Sequence, residues 1–170
     1  DEMNMHNPQD DESRSELRNL AAVPKQIISP ANNKSIVGIF QDSLLGCYRF
    51  TREDIKFDKR TAMNLLMAFN KVNENAFKNK KEITNFDILS QIFPPLSCKF
   101  TNSNFNPDED NKKTSNDVIE VKNGHYIRGQ INKGVLESMS KGFIQSIYND
   151  FGYSSCADFI DDIQNIVTEY

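Results

Sequence analysis

The residues best suited to chemistry are two adjacent carboxylates at the start of the chain, Asp1 and Glu2. Hard cations such as Mg²⁺ take oxygen ligands, commonly one or two carboxylates together with phosphates. With Asp10 as a third acid, the pair could serve a small metal-dependent phosphohydrolase. Adjacent acids at an exposed chain start are normally just solvated, however. The carboxylates alone therefore do not establish a metal site.

The cysteines and histidines point to no further reaction. Cys47, Cys98 and Cys156 are far apart and lack the CxxC spacing that is typical of zinc sites. We expect reduced, mostly buried thiols, as in an intracellular protein. His6 and His125 lie near opposite ends of the chain, and no local signature of nucleophilic catalysis surrounds them.

Size and composition favour a globular piece with one core. The 170 residues are 38% hydrophobic and 26% charged, with a net charge of −4. No apolar run approaches the roughly 20 residues that span a bilayer. A protein that holds nucleic acid alone usually carries a basic excess, which this chain lacks. Because the chain begins with Asp1 rather than Met, we expect more chain upstream.

The first half of the sequence predicts short elements separated by turn residues. Ser13-x-x-Glu16 is typical of a capping box, so we expect a helix from there to about Val23. Residues 43–48 fit either a helical turn or a strand. Apolar runs predict two strands around an Asn-Asn turn and then a helix, at residues 26–29, 35–40 and 58–72.

The second half contains the clearest local pattern, an Asn123-Gly124 turn between two apolar runs. Asn-Gly accepts positive φ at both positions, so residues 118–129 predict a β-hairpin. A capping box at Thr84-x-x-Asp87 predicts a helix to Phe93. The remaining expectations are a strand at 97–100, a polar loop at 101–117 and helices at 142–151 and 155–170, separated by Gly152. Helices and short strands without a βαβ rhythm indicate the α+β class.

Residues 1–9 resemble a known family. The run Asp-Glu-Met-Asn-x-His-x-Pro-Gln resembles the stretch at the end of the catalytic aspartate motif in the largest subunit of multisubunit DNA-directed RNA polymerases, of the eukaryotic or viral type. Asp1 matches the third aspartate of that motif. The run from Val37 to Gly46, with Gln41-Asp42 at its centre, also resembles the family.

The resemblance extends more loosely over the second half. The Asn123-Gly124 hairpin, with Gly129 and Lys133 after it, resembles a family hairpin that precedes glycine and one or two lysines. At the position of the family's second lysine, this chain has Gly134. The resemblance implies two domains: residues 1–45 complete the active-site double-psi β-barrel, and residues 46–170 form the pore domain. That pore domain would hold the polar loop at 101–117 and the start of the helices near the funnel.

The implied reaction is template-directed RNA synthesis from NTPs by two-Mg²⁺ nucleotidyl transfer. The resemblance makes Asp1 a catalytic ligand of Mg²⁺, shared with two aspartates that are not in this chain. Lys133 would contact NTP phosphates or extruded RNA in the pore, or would be an ordinary exposed lysine. Structural roles are expected for Gln41, Asp42, Asn123, Gly124 and Gly129.

The implied partners are the rest of the largest subunit, the second-largest subunit and smaller subunits, with template DNA, RNA and NTPs but no membrane. The isolated chain should be inactive. The resemblance implies an intracellular protein, nuclear if cellular and in the virion or host cytoplasm if viral. The alternative is a stand-alone α+β interaction module without catalysis, which the acidic charge and the lack of motifs would suit.

Overall fold

The structure is a computed structural model that describes residues 2–69, 71–136 and 142–170. Helices and short antiparallel strands are mixed along the described chain, which confirms the α+β class. The helices are α1 (Asp11–Asn19), α2 (Gln41–Phe50), α3 (Lys59–Leu65), α4 (Asn85–Leu89), α5 (Lys133–Leu136) and α6 (Phe143–Glu169). The strands are β1 (Ile28–Ser29), β2 (Lys34–Ser35), β3 (Lys56–Phe57), β4 (Ile83–Thr84), β5 (Cys98–Thr101), β6 (Val118–Lys122) and β7 (His125–Arg128).

Helix α1 begins two residues before the predicted capping box. Its N-cap is Asp10, whose Oδ1 accepts the backbone N–H of Ser13 at 2.7 Å. Ser13 is therefore inside the helix, and the prediction that it caps the helix was wrong. Both residue types are good N-caps. Asp10 takes that role because its carboxylate also accepts the hydroxyl of Ser13, at 2.9 Å.

The two predicted strands of the first half pair over only two residues each. Strands β1 and β2 run antiparallel on either side of the expected turn, where Asn33 has a φ of +50°. The predicted strand at 35–40 ends at Ser35 in the structure. Beyond it Ile39 packs into the core instead of continuing the sheet. Residues 43–48, which fitted either helix or strand, belong to α2.

Two predicted helices are shorter than expected. The capping box at Thr84 and Asp87 is confirmed, yet α4 ends at Leu89 rather than Phe93. Helix α3 likewise ends at Leu65, seven residues before the predicted end at 72. In both places the chain continues in tight turns whose N–H groups reach back three residues, as in a 3₁₀ helix.

The three-stranded sheet β5-β6-β7 contains the predicted hairpin. Asn123 and Gly124 have φ values of +47° and +78°, as the two-residue turn requires, so the hairpin is confirmed. Strand β5 confirms the strand expected at 97–100. After Thr101, the polar segment 102–117 contains turns but neither helix nor strand.

The last helix bends at Gly152, where φ is +83°. The halves on either side correspond to the two helices predicted from the sequence. Their apolar faces carry the core, in which the rings of Phe143 and Phe159 each contact Phe93, with centroids 4.8 Å from Phe93 in both cases. Helix α2 lies against this helix because Gly46 lets Val167 approach: a Cβ on Gly46 would be 3.0 Å from that of Val167.

Within the described residues no sheet closes into a barrel. The expectation that residues 1–45 complete a double-psi barrel therefore stays a prediction, since it needs strands from outside this chain. The boundary expected between residues 45 and 46 falls inside α2. All three cysteines are free, as predicted, and Cys47 is fully buried. In the part of the chain that the structure covers, no helix combines the length and apolarity needed to cross a membrane.

Candidate functional site

The N-terminal acids do not form a metal site within the described residues. Asp1 lies outside these residues, and Glu2 is exposed. Asp10 uses both carboxylate oxygens to bind Ser13 at the start of α1, and these hydrogen bonds lower its pKa. No group of three or more metal-binding side chains occurs in the ranges 2–69, 71–136 and 142–170. The capping role of Asp10 therefore weakens the phosphohydrolase hypothesis, in which Asp10 was the third acid.

An open cleft of about 620 Å³ runs along the outer face of α2. Helix periodicity places Gln41, Leu44, Leu45 and Tyr48 on this face, while Cys47 and Phe50 point to the core on the other. The cleft is lined by Phe40, Gln41, Leu44, Leu45, Tyr48, Asn132 and Lys133. It is an apolar surface with amide groups and one lysine at its edge.

The start of α2 holds two residues predicted to be structural. Gln41 is the first residue of the helix and has a φ of +50°, which is uncommon for a residue other than glycine. Asp42 comes next, in the first turn, where its negative charge interacts favourably with the positive end of the helix dipole. Backbone strain of this kind often accompanies functional sites.

Asn132 and Lys133 form the opposite wall of the cleft, and the two residues before them are tied to the end of α2. The side-chain amide of Gln130 donates to the carbonyl oxygen of Tyr48 at 3.2 Å. The N–H of Ile131 donates to the hydroxyl of Thr51 at 2.9 Å, and this hydroxyl in turn donates to the carbonyl of Cys47 at 2.8 Å. Thr51 is fully buried, so these bonds are shielded from water.

The polar segment 102–117 supports this wall from behind. The side chain of Asn102 donates to Asp117 at 2.8 Å and to the carbonyl of Gln130 at 3.2 Å. Asn132 donates from its Nδ2 to the hydroxyl of Ser103 at 2.8 Å. The Oδ1 of Asn132 is buried and has no hydrogen-bond partner among the residues that the structure covers. The loop is thus bonded to the residues beside Lys133.

Lys133 begins α5 and is exposed at the rim of the cleft. Val135 anchors the turn beneath it, since its N–H donates to the carbonyl of Asn132 at 3.0 Å. The cleft therefore combines one cation with an apolar floor, an arrangement that can contact an anionic group as a point charge.

The exposed face of the three-stranded sheet carries a charge network centred on Glu120. Its carboxylate binds Lys122 at 3.0 Å, Arg128 at 3.2 Å and Lys99 at 3.3 Å. Hydrogen bonds from these cations, led by that from Lys122, lower the pKa of Glu120 to about 2. Arg128 also donates to the carbonyls of Lys112 and Ser115, at 2.8 and 3.1 Å. This network fastens the polar segment to the sheet.

A second groove, of about 460 Å³, lies beside the C-terminal half of α6. Three of its lining residues are the acids Asp158, Asp161 and Asp162. Partial burial, together with the charges of the two neighbouring aspartates, raises the pKa of Asp162 to about 6.

The other predicted site residues lie in and beside the hairpin. Asn123 and Gly124 form its turn, and a Cβ on Gly124 would lie 2.9 Å from the carbonyl oxygen of Pro94. Gly129 directly follows β7 and has a φ of +114°. None of the three lines the cleft. Sequence reasoning missed Thr51 and Asn102, because their bonds join residues that are far apart in the chain.

The chain resembles known proteins over its whole length. The family model described as RNA polymerase Rpb1, domain 3 matches residues 26–170. The DNA-directed RNA polymerase II subunits RPB1-A and RPB1-B of Trypanosoma brucei brucei are each 29% identical to it over 171 positions. DNA-directed RNA polymerase subunit 1 of Acanthamoeba polyphaga mimivirus is 27% identical over 170 positions.

These alignments cover 99% of this chain for the trypanosome subunits and 100% for the viral one, but 10% of each relative. The chain therefore spans about a tenth of the length of the curated relatives it matches. The family predicted from the N-terminal run is confirmed, because the family model covers well over half of the chain. The chain belongs to the RNA polymerase Rpb1, domain 3 family and is a segment of an RNA polymerase largest subunit.

Proposed function

We propose that this chain is part of the active centre of a DNA-directed RNA polymerase that makes RNA from NTPs on a DNA template. The observation that carries the proposal is the family match over residues 26–170, preceded by the run that begins at Asp1. The relatives are named as DNA-directed RNA polymerase subunits. The chain's own contribution is one acidic residue and one wall of a channel.

Asp1 is the proposed contribution to catalysis. A carboxylate is a donor that Mg²⁺ prefers, so Asp1 suits the role of one ligand. One carboxylate is too few for a stable site, and the described residues offer no cluster to complete it. The other ligands would come from outside this chain. When bound, the metal would stabilise negative charge on the reacting oxygens.

The cleft on α2 is the proposed channel wall. Its two sides are held together by buried hydrogen bonds at Thr51, so the wall keeps its shape when solutes pass. Lys133 stands at the edge, where its charge can contact the phosphates of an NTP or of extruded RNA. Gln41 faces the same cleft from the start of α2.

The proposed partners are the remainder of the largest subunit, a second-largest subunit, smaller subunits, DNA and RNA. The enzyme would act inside the cell, in the nucleus or, for a viral enzyme, in the virion or host cytoplasm. An interaction module without catalysis would need neither template DNA nor RNA.

Purification of the complete protein tests the proposal. We expect it to purify with a second large subunit and to incorporate NTPs in a reaction that depends on template DNA and Mg²⁺. The 170-residue chain, assayed in parallel, should incorporate none, because it supplies only one of the acidic ligands. A complete protein that purifies without a second large subunit, or lacks template-dependent synthesis, would contradict the proposal and favour the interaction module.

A further inference from the structure

Positive charge is concentrated in residues 52–82. This stretch contains eight Lys and Arg against five Asp and Glu, although the chain as a whole has a net charge of −4. The sequence alone shows only short runs of charge. The structure brings Lys59 and Lys78 together on one surface. We call these two residues, together with Arg60 and Lys81 close to them in the sequence, the basic patch.

Two contacts assemble the basic patch. The Nζ of Lys59 donates to the carbonyl of Lys78 at 3.2 Å, which joins α3 to the turns before β4. The pairing of Phe57 with Ile83 between β3 and β4 holds the same two segments side by side. Lys81 lies two residues before Ile83, and Arg60 comes directly after Lys59 in α3. The patch is thus fixed by strand pairing as well as by side chains.

The cations of the basic patch form no ion pairs within the described part of the chain, and all four are exposed. Their neighbours differ in this respect: Lys56 pairs with Glu82 at 3.0 Å, and Lys80 pairs with Asp87 at 2.7 Å. The fold therefore neutralises two lysines of the region and leaves an excess of positive charge beside them.

A small apolar hollow of about 170 Å³ opens within the basic patch. Lys59 and Lys78 stand on its rim, and its apolar lining comes from Met63, Phe77 and Ile83. Phe77 and Ile83 are buried, whereas Met63 is partly exposed. A hollow of this size can hold one aliphatic side chain, and the surrounding cations would favour acidic groups next to it.

We propose that the basic patch docks an acidic protein surface, which places one apolar side chain in the hollow. Charge complementarity steers and orients such contacts. Nucleic acid fits less well, because Glu74 borders the hollow and Asp58 lies next to Lys59, so the positive track is interrupted. The ring of Phe77 is only 4% exposed and cannot stack on a base. The inference concerns assembly and does not depend on RNA synthesis.

Lysine acetylation of the native assembly that contains this chain tests the inference. The assembly is purified free of nucleic acid and treated with an acetylating reagent, with the denatured protein as the reference. We expect Lys59, Lys78 and Lys81 to react about tenfold more slowly than in the denatured protein. Lys112 and Lys113 of the polar segment are the matched controls and should react at nearly the denatured rate.

A carbodiimide cross-linker, which joins lysine directly to carboxylate, should connect the patch lysines to Asp or Glu outside residues 1–170. Charge reversal by Lys59→Glu with Lys78→Glu should abolish these links, whereas Lys112→Glu with Lys113→Glu should preserve them. Unhindered acetylation of the patch, protection that appears only after DNA or RNA is added, or protection without carboxylate links would each overturn the inference. RNA synthesis is not read in this assay, so its result is separate from that of the proposed function.

Discussion

Replacing Gly129 by alanine is expected to destabilise the chain by about 4 kcal/mol, because two separate costs fall on one residue. The first cost is conformational. Gly129 has a φ of +114°, a region that side chains avoid, and such strain costs about 1–3 kcal/mol. The second cost is steric, and it is where Gly129 differs from Gly152.

A Cβ built on Gly129 would lie 2.5 Å from the Cα of Ile119 and 2.8 Å from the carbonyl oxygen of Val118. Both are backbone atoms of the central strand β6, so no side-chain rotation can relieve the overlap. Forcing extra volume into a packed region costs typically about 1–3 kcal/mol. The steric cost therefore adds to the conformational one.

Gly152 provides a matched control. Its φ of +83° is also unfavourable for alanine, but apart from its chain neighbours and the backbone of its own helix no described atom lies within 4 Å of its Cβ position. Gly152→Ala should therefore carry only the conformational cost, about 2 kcal/mol. The difference between the two variants isolates the clash with β6.

Urea denaturation of the 170-residue chain, monitored by circular dichroism, measures both variants. With a slope of about 2 kcal/mol per molar urea, Gly129→Ala should lower the midpoint by about 2 M and Gly152→Ala by about 1 M. Equal midpoints for the two variants would refute the assignment of a steric cost to Gly129. A wild-type midpoint for Gly129→Ala would refute the backbone geometry itself.

Three further predictions concern charged residues. Asp162→Asn should stabilise the chain at pH 8 by about 1 kcal/mol, which is less than the full pKa shift implies because the group is partly solvated. Because the pKa of Asp162 is raised in the folded chain, the wild type loses stability as pH rises from 3.8 to about 6, so the substitution should have no effect well below pH 3.8. A pH-independent effect in thermal melts would contradict this. Arg128→Lys should speed cleavage of the segment 102–117 by endoproteinase Lys-C about tenfold, because the two hydrogen bonds from Arg128 to carbonyls of that segment are lost. Lys122→Ala should not speed this cleavage. Equal rates for the two variants would contradict the anchoring role of Arg128. Lys133→Ala in the complete enzyme should change the free energy of NTP use or of backtracking by no more than about 1 kcal/mol, as for an exposed charge. Total loss of RNA synthesis would contradict this prediction.

Local patterns in the sequence predicted the parts of the fold that depend on neighbours in the chain. The capping box of Thr84 and Asp87 and the turn of Asn123 and Gly124 are correct because their hydrogen bonds and dihedral angles involve only nearby residues. The predicted N-cap of α1 was wrong by three residues because Asp10 and Ser13 are both good caps, and only the structure shows which one accepts the free N–H.

The parts that the sequence could not predict depend on distant contacts. The run 35–40 looks like a strand, but whether an extended run joins a sheet depends on its partner, and here Gly38 instead lies against Leu136. The wall of the cleft depends on a bond between Gln130 and Tyr48, which are 82 positions apart. The role of Asp1 could be inferred only from the resemblance to the polymerase family, because the aspartates that would share its metal are not in this chain.

We propose that Asp1 belongs to the catalytic centre of an RNA polymerase. The most direct test is RNA elongation by the complete enzyme on a preassembled DNA–RNA scaffold, with Asp1→Asn compared with Asp11→Asn. Asp11 is an exposed acid of α1 whose side chain pairs with Arg14 on the same helix. Asp11→Asn therefore makes the same change of charge at a residue that has no proposed catalytic role. We expect that Asp1→Asn assembles normally but does not elongate, while Asp11→Asn elongates as the wild type does. Elongation at a near-normal rate by Asp1→Asn would contradict it.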